Sequence, residues 1–159
     1  MIGTKIKVNL GCGFDVKEGY LNVDAIKTTS RTVVQDLNED WVLFKDNSID
    51  EIYMKDVIEH LDNLQHLFGE VERVLKVGGV FCFEFPHYKA PSAYKISHKN
   101  FFSWNTWNAF PEHYDINKQK KVFALKVTKN ELVVEDRVFP FTLLNFVANL
   151  CPLIWEKFF

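Results

Sequence analysis

The sequence predicts an α/β fold built on an open, mostly parallel sheet, with an abbreviated first crossover and an antiparallel hairpin toward the C-terminus. Three observations predict it. Short apolar runs recur through the first 86 residues, most of them end on a glycine turn or an acidic residue, and one amphipathic segment precedes the last run. Helices alternating with such strands cover an open sheet, and its strand ends carry the ligand-binding groups.

Lys5–Leu10 alternates polar and apolar residues and stops at Gly11-Cys12-Gly13, a strand running into a turn. Tyr20–Val23 ends at Asp24, Thr32–Val34 ends near Asp36, and Ile49–Met54 follows the turn signal Asp46-Asn47-Ser48. Leu64, Leu67, Phe68, Val71, Val74 and Leu75 fall at helical spacing, so a helix is expected from Leu64 to Lys76, with Gly78-Gly79 as its terminator. Val80–Phe85 is a nearly unbroken apolar strand closed by Pro86.

Beyond Pro86 the pattern changes. Residues 87–119 mix polar and aromatic side chains with Pro91 and Pro111 and read as a substrate-side insertion. Lys121–Val127 and Glu131–Val138 flank Thr128-Lys129-Asn130 as a hairpin. Residues 1–159 are read as one domain, ending in an apolar tail over 138–159. Fewer than ten residues separate Gly13 from the second run, whereas a parallel crossover usually takes a dozen or more. The first crossover helix must therefore be vestigial, or the second strand very short.

Composition narrows the function classes. Apolar residues make up 47% and charged residues 25%, the mix of a globular protein with a buried core. A net charge of −2 offers no general attraction for nucleic acid or an anionic membrane. Cys12, Cys82 and Cys151 are odd in number and far apart, so neither a disulfide framework nor a metal cluster is expected, and a reduced cytoplasmic setting fits. Residues 1–10 lack the pattern of a signal peptide. Pro140 and Pro152 break the tail, leaving its uninterrupted part too short to span a bilayer. Trp155, Phe158 and Phe159 make it a candidate dimer surface, with a membrane-surface helix as the lesser reading.

The candidate site collects at the strand ends. Gly11 and Gly13 let backbone approach a ligand, because no Cβ stands in the way. Asp24 offers two acceptor oxygens to a diol. Asp36 with Leu37 can take an exocyclic amine and flank a flat ring, and Met54-Lys55-Asp56 ends the fourth strand. A dinucleotide fingerprint fails, since Gly11-Cys12-Gly13-Phe14-Asp15-Val16 ends in valine.

In that order, LGCG, NVD, DL, DNSIDEIYMKDVIEHL and VERVLKVGGVFCFEFP, the motifs resemble the class I S-adenosylmethionine (SAM) dependent methyltransferases. The likeness is to the small type 11 branch, over residues 5–88 and more loosely in the tail. It implies a Rossmann-like fold and SAM as cofactor. Gly11, Cys12 and Gly13 would meet the methionine part, Asp24 the ribose, Asp36 and Leu37 the adenine, and Met54 and Lys55 would border the sulfonium through backbone atoms. Asn9 stands where many relatives have an acid, and Asp15 replaces a third glycine. The acceptor would be a small molecule or glycan intermediate. Were it a hydroxyl, His60, His87 and Asp56 are the candidate bases by position. The alternative is a SAM-fold binding module or partner subunit without activity.

Overall fold

A computed structural model of the chain describes residues 4–108, 114–115, 120–121 and 125–130. The described residues up to Pro86, with Lys95–Asn100, form one compact unit; His87–Tyr94 and the described residues from Phe101 onward form a second.

The first unit is an all-parallel, five-stranded sheet: β1 Lys7–Leu10, β2 Leu21–Asp24, β3 Thr32–Val34, β4 Ile49–Lys55 and β5 Leu75–Glu84. Their order is β3-β2-β1-β4-β5. This is the open α/β arrangement expected. Val8 and Leu10 of β1, Val23 of β2, and Ile52 and Met54 of β4 have no exposed surface and make the centre of the core.

Both readings of the first crossover hold at once. Residues 11–20 contain no helix, and β2 is only four residues long. Loop backbone that close to a sheet needs hydrogen-bond partners. Two asparagines supply them. The register sets Asn9 opposite Asn22, each 3% exposed, and Asn9 Nδ2 donates to Asn22 Oδ1 at 2.9 Å and to the Asp15 carbonyl at 2.9 Å. Asn22 Oδ1 also accepts from the Lys17 amide, while its Nδ2 donates to the carbonyls of Lys17 and Tyr20. The asparagine pair does locally what a crossover helix does by its own ladder.

The helix α1, Leu64–Val74, begins where expected. Asn63 caps it by accepting from the His66 amide, and Leu67, Phe68, Val71 and Val74 form one buried stripe. Its end differs from the expectation: the helix stops at Val74, ahead of the two glycines. Tertiary partners decide this. The amides of Asn47 and Ser48 donate to the carbonyls of Arg73 and Val74, and Leu75 pairs with Ile49 in the sheet. Gly78, at φ 80°, instead lets residues 76–79 bulge out between the Ile49–Leu75 and Glu51–Val80 pairs.

Arg73 ties the loop 41–46 to α1. Its guanidinium donates to both carboxylate oxygens of Glu70, to Asp46 and to the carbonyls of Trp41 and Phe44. These bonds hold the Glu70 carboxyl below the usual range, so its contribution to stability is present above the unfolded pKa and lost as pH falls through the folded one. Glu70→Gln is expected to cost about 1–2 kcal/mol at neutral pH and progressively less as pH falls below the unfolded value of about 4.3, read from urea midpoints across that interval. A constant difference across the interval would refute it.

In the second unit His87 bridges to Phe102, the Tyr88 amide donates to the Phe102 carbonyl, and the short helix α2, Trp104–Asn108, follows. The rings of Phe102 and Trp107, 3% and 5% exposed, stand 5.2 Å apart as a packing cluster. An antiparallel pair is present, but it joins β6, Tyr114–Asp115, to β7, Lys120–Lys121. Of the expected hairpin, Lys121 falls in β7 and residues 125–130 are not in a strand, while residues 122–124, the second expected strand and the 138–159 tail lie outside the described residues.

Candidate functional site

The order β3-β2-β1-β4-β5 reverses direction between β1 and β4, and open α/β sheets bind ligands at the carboxyl ends of the strands beside such a switch. A hollow of about 180 Å³ lies there, lined by Asn9, Gly11, Cys12, Asp15, Tyr53, Lys55 and Asp56. Four of the residues singled out from the sequence therefore converge on one space: Gly11 and Cys12 from the end of β1, Lys55 and Asp56 from the end of β4.

The glycine turn is shaped by its neighbours. Gly11 (φ 65°) and Gly13 (φ 50°) are both left-handed. At Gly11 a Cβ would stand 2.2 Å from Val57 Cγ2, while at Gly13 it would meet nothing within 4 Å. The first glycine serves packing; the second keeps an open approach. Thr28 donates its hydroxyl to the Gly13 carbonyl, and Asp24 Oδ2 accepts the Gly13 amide at 2.8 Å. The carboxylate at the end of β2 is thus tied to the turn after β1. Its Oδ1 takes the Ile26 amide at 3.1 Å, and each oxygen keeps a second lone pair for a ligand.

The remaining expected cofactor residues are not part of the hollow's lining. Met54 is fully buried, paired in the sheet with Leu10 and Phe83. The Gln35 amide donates to the Asp24 carbonyl, which brings the chain past β3 alongside the end of β2. Asp36 is exposed and accepts the Asn38 amide at 2.9 Å in an Asx turn, and Leu37 beside it is 4% exposed.

Cys12 is 5% exposed, and burial pushes its thiol up, so it is a small core residue beneath the turn rather than a nucleophile. Asp56 is at φ 52°, a costly conformation for a residue with a Cβ, fixed by its amide donating to the Glu84 carbonyl. His60 points elsewhere: its Nδ1 bonds the Ser97 carbonyl at 3.0 Å and its ring packs edge-on against His98. His87 belongs to the second unit, where its Nδ1 accepts the Lys89 amide.

Tyr53 was not singled out from the sequence, where it passes for an ordinary strand aromatic. It lines the hollow, donates its hydroxyl to Glu84 at 2.7 Å and carries the Lys17 ammonium 4.0 Å above its ring. Asn9, whose amide is spent on Asn22 and Asp15, lines the same hollow.

Residues 8–83 match the Methyltransf_11 family, described as a methyltransferase domain. This stretch covers just under half of the chain and carries the open parallel sheet of a Rossmann-like, SAM-dependent methyltransferase fold. Its fold is similar to that of a SAM dependent methyltransferase from Archaeoglobus fulgidus, with a TM-score of 0.57 at 18% identity over 96% of this chain and 81% of that one. The YcgJ protein from Bacillus subtilis gives 0.52 at 20% identity, over 67% and 59% of the two chains. A methyltransferase from Mesorhizobium loti matches at 26% identity and 0.47 over 57% of this chain, which spans about half (52%) of that protein's length. No curated protein sequence matches the chain. Among the described residues, no helix is long and apolar enough to cross a membrane.

Proposed function

We propose that this chain is a SAM-dependent methyltransferase acting on a small-molecule or glycan-type acceptor, by O- or N-methylation. One observation carries the reading: the hollow at the β1–β4 switch, floored by a left-handed glycine turn and walled by Lys55-Asp56. The residues present fit SAM. Gly13 leaves a clear approach for the methionine end, and Asp24 keeps acceptor capacity for the ribose diol at a fixed place beside it. Asp36 and Leu37 stand at the next strand end for adenine, and the backbone of Met54 and Lys55 borders the opposite wall.

When bound, SAM supplies an electrophilic methyl group on a sulfonium. The chain has to hold an acceptor in line with it and keep water out. We assign Asp56 to take a proton from a hydroxyl acceptor; its position in the lining of the hollow and its amide bond to the Glu84 carbonyl support this. Such a base contributes on the order of 10²–10⁴-fold. His60, turned to Ser97, is not placed in that role.

Calorimetry with S-adenosylhomocysteine tests the reading. The chain is expected to bind one equivalent, and Asp24→Ala and Asp24→Asn to weaken binding by roughly ten- to a hundredfold through loss of one charged hydrogen-bond set. Absence of binding at millimolar ligand would overturn it. Binding without methyl transfer to any offered amine or hydroxyl would favour the inactive module instead.

A further inference from the structure

Glu59 has no use in the chemistry above, yet it is the most anomalous side chain among the described residues. It lies in the 3-10 turn Ile58–His60, is 1% exposed, and neither carboxylate oxygen has a hydrogen-bond partner. A carboxylate removed from water without hydrogen bonds is costly, and native proteins pair such groups with a cation or a donor.

Two imidazoles stand beside it. Glu59, His60 and His98 each present one ligand atom, and all three atoms lie within 4.8 Å of one another. Tetrahedral ligands at bond lengths of 2.0–2.1 Å stand about 3.3 Å apart, so side-chain rotations of roughly 1 Å would close the set. The tautomer of His60 is compatible with it. A carbonyl can only accept, so Nδ1 must carry the proton toward Ser97 and Nε2 keeps its lone pair. A backbone carbonyl on the far nitrogen is the usual support of a metal-bound histidine.

The loop that brings His98 is firmly docked. The amides of Lys99 and Asn100 donate to the Glu59 carbonyl at 2.7 and 3.1 Å, Asn100 Nδ2 donates to the Leu61 carbonyl at 2.7 Å, and Lys99 Nζ reaches Asp62 at 2.5 Å. His98 is therefore held beside the turn by the two residues that follow it.

We propose that Glu59, His60 and His98 form a binding site for one divalent transition ion, zinc by the chemistry of its donors. Two imidazoles and one carboxylate suit zinc and leave a fourth position open, whereas magnesium demands an oxygen cage. The proposal is independent of SAM binding and is scored separately from it.

The test uses the untagged full chain, stripped with a chelator and titrated with Zn²⁺ against a chromophoric competitor, and with Co²⁺ by its visible absorption. One equivalent of each is expected, undisturbed by millimolar Mg²⁺. Glu59→Gln and His98→Ala should each weaken uptake at least about tenfold, while His66→Ala, whose ring faces the Glu39 carbonyl, leaves it unchanged. Circular dichroism and urea melts of the stripped variants, measured alongside, show that they are folded. Failure of the parent chain to take up one equivalent would overturn the proposal, as would equal uptake by both site variants. Stabilisation of the stripped protein by Glu59→Gln, with no uptake by the parent, would show a buried neutral acid instead and also defeat it.

Discussion

Gly11→Ala is expected to destabilise the chain by roughly 2–5 kcal/mol and to abolish S-adenosylhomocysteine binding. Two costs add. A left-handed φ of 65° costs an alanine about 1–2 kcal/mol, and the new methyl would fall 2.2 Å from Val57 Cγ2 and 2.9 Å from Cγ1. Relieving that overlap moves either the turn or the start of the 3-10 segment, at about 1–3 kcal/mol. The two costs can be separated, because Val57→Ala removes the methyls without touching φ. The double variant should regain the packing part and keep the conformational part, in urea melts of all four proteins. If Val57→Ala restores nothing, the overlap is not the cause.

The second large effect is expected at Asn9. Aspartate there should lower stability by about 2–4 kcal/mol at neutral pH. The amide nitrogen that donates to Asp15 and Asn22 would become an oxygen facing two acceptors in a site 3% exposed. Asn22 cannot turn its own amide to compensate, since that would break its bonds with the Lys17 amide and with the carbonyls of Lys17 and Tyr20. The new carboxyl would be forced above its unfolded pKa of about 3.9, so the deficit should shrink as pH is lowered toward 4. A deficit independent of pH, or none at all, would contradict this account.

That contrast shows where the sequence was readable. Strand ends were, because glycine turns and acids punctuate apolar runs: β2 ends on Asp24, β3 ends two residues before Asp36, and α1 starts at Leu64. The helix end was not, because the Asn47 and Ser48 amides that stop it come from another part of the chain. Asn9 looked like a departure from a family pattern, and only the β1–β2 register reveals its partner at Asn22. Cys12 and Asp56 were singled out and line the hollow, yet Tyr53 was passed over, because strand alternation says which face a residue takes and not what space adjoins it. The Glu59–His60–His98 trio escaped for a simpler reason: no local spacing links a histidine to one 38 positions away (60 to 98).

The helix-free connection between β1 and β2 also bears on how the sheet assembles. Val8 finds Leu21 across 13 positions (8 to 21), but Ile52 across 44 (8 to 52). Bringing the more distant pair together costs about 1 kcal/mol more in chain entropy. Trimming the crossover thus shifts the ordering of the sheet toward the N-terminal strands. The glycine turn and Asp24 come together early, on local chain alone, and the β4 wall of the hollow closes on them afterwards.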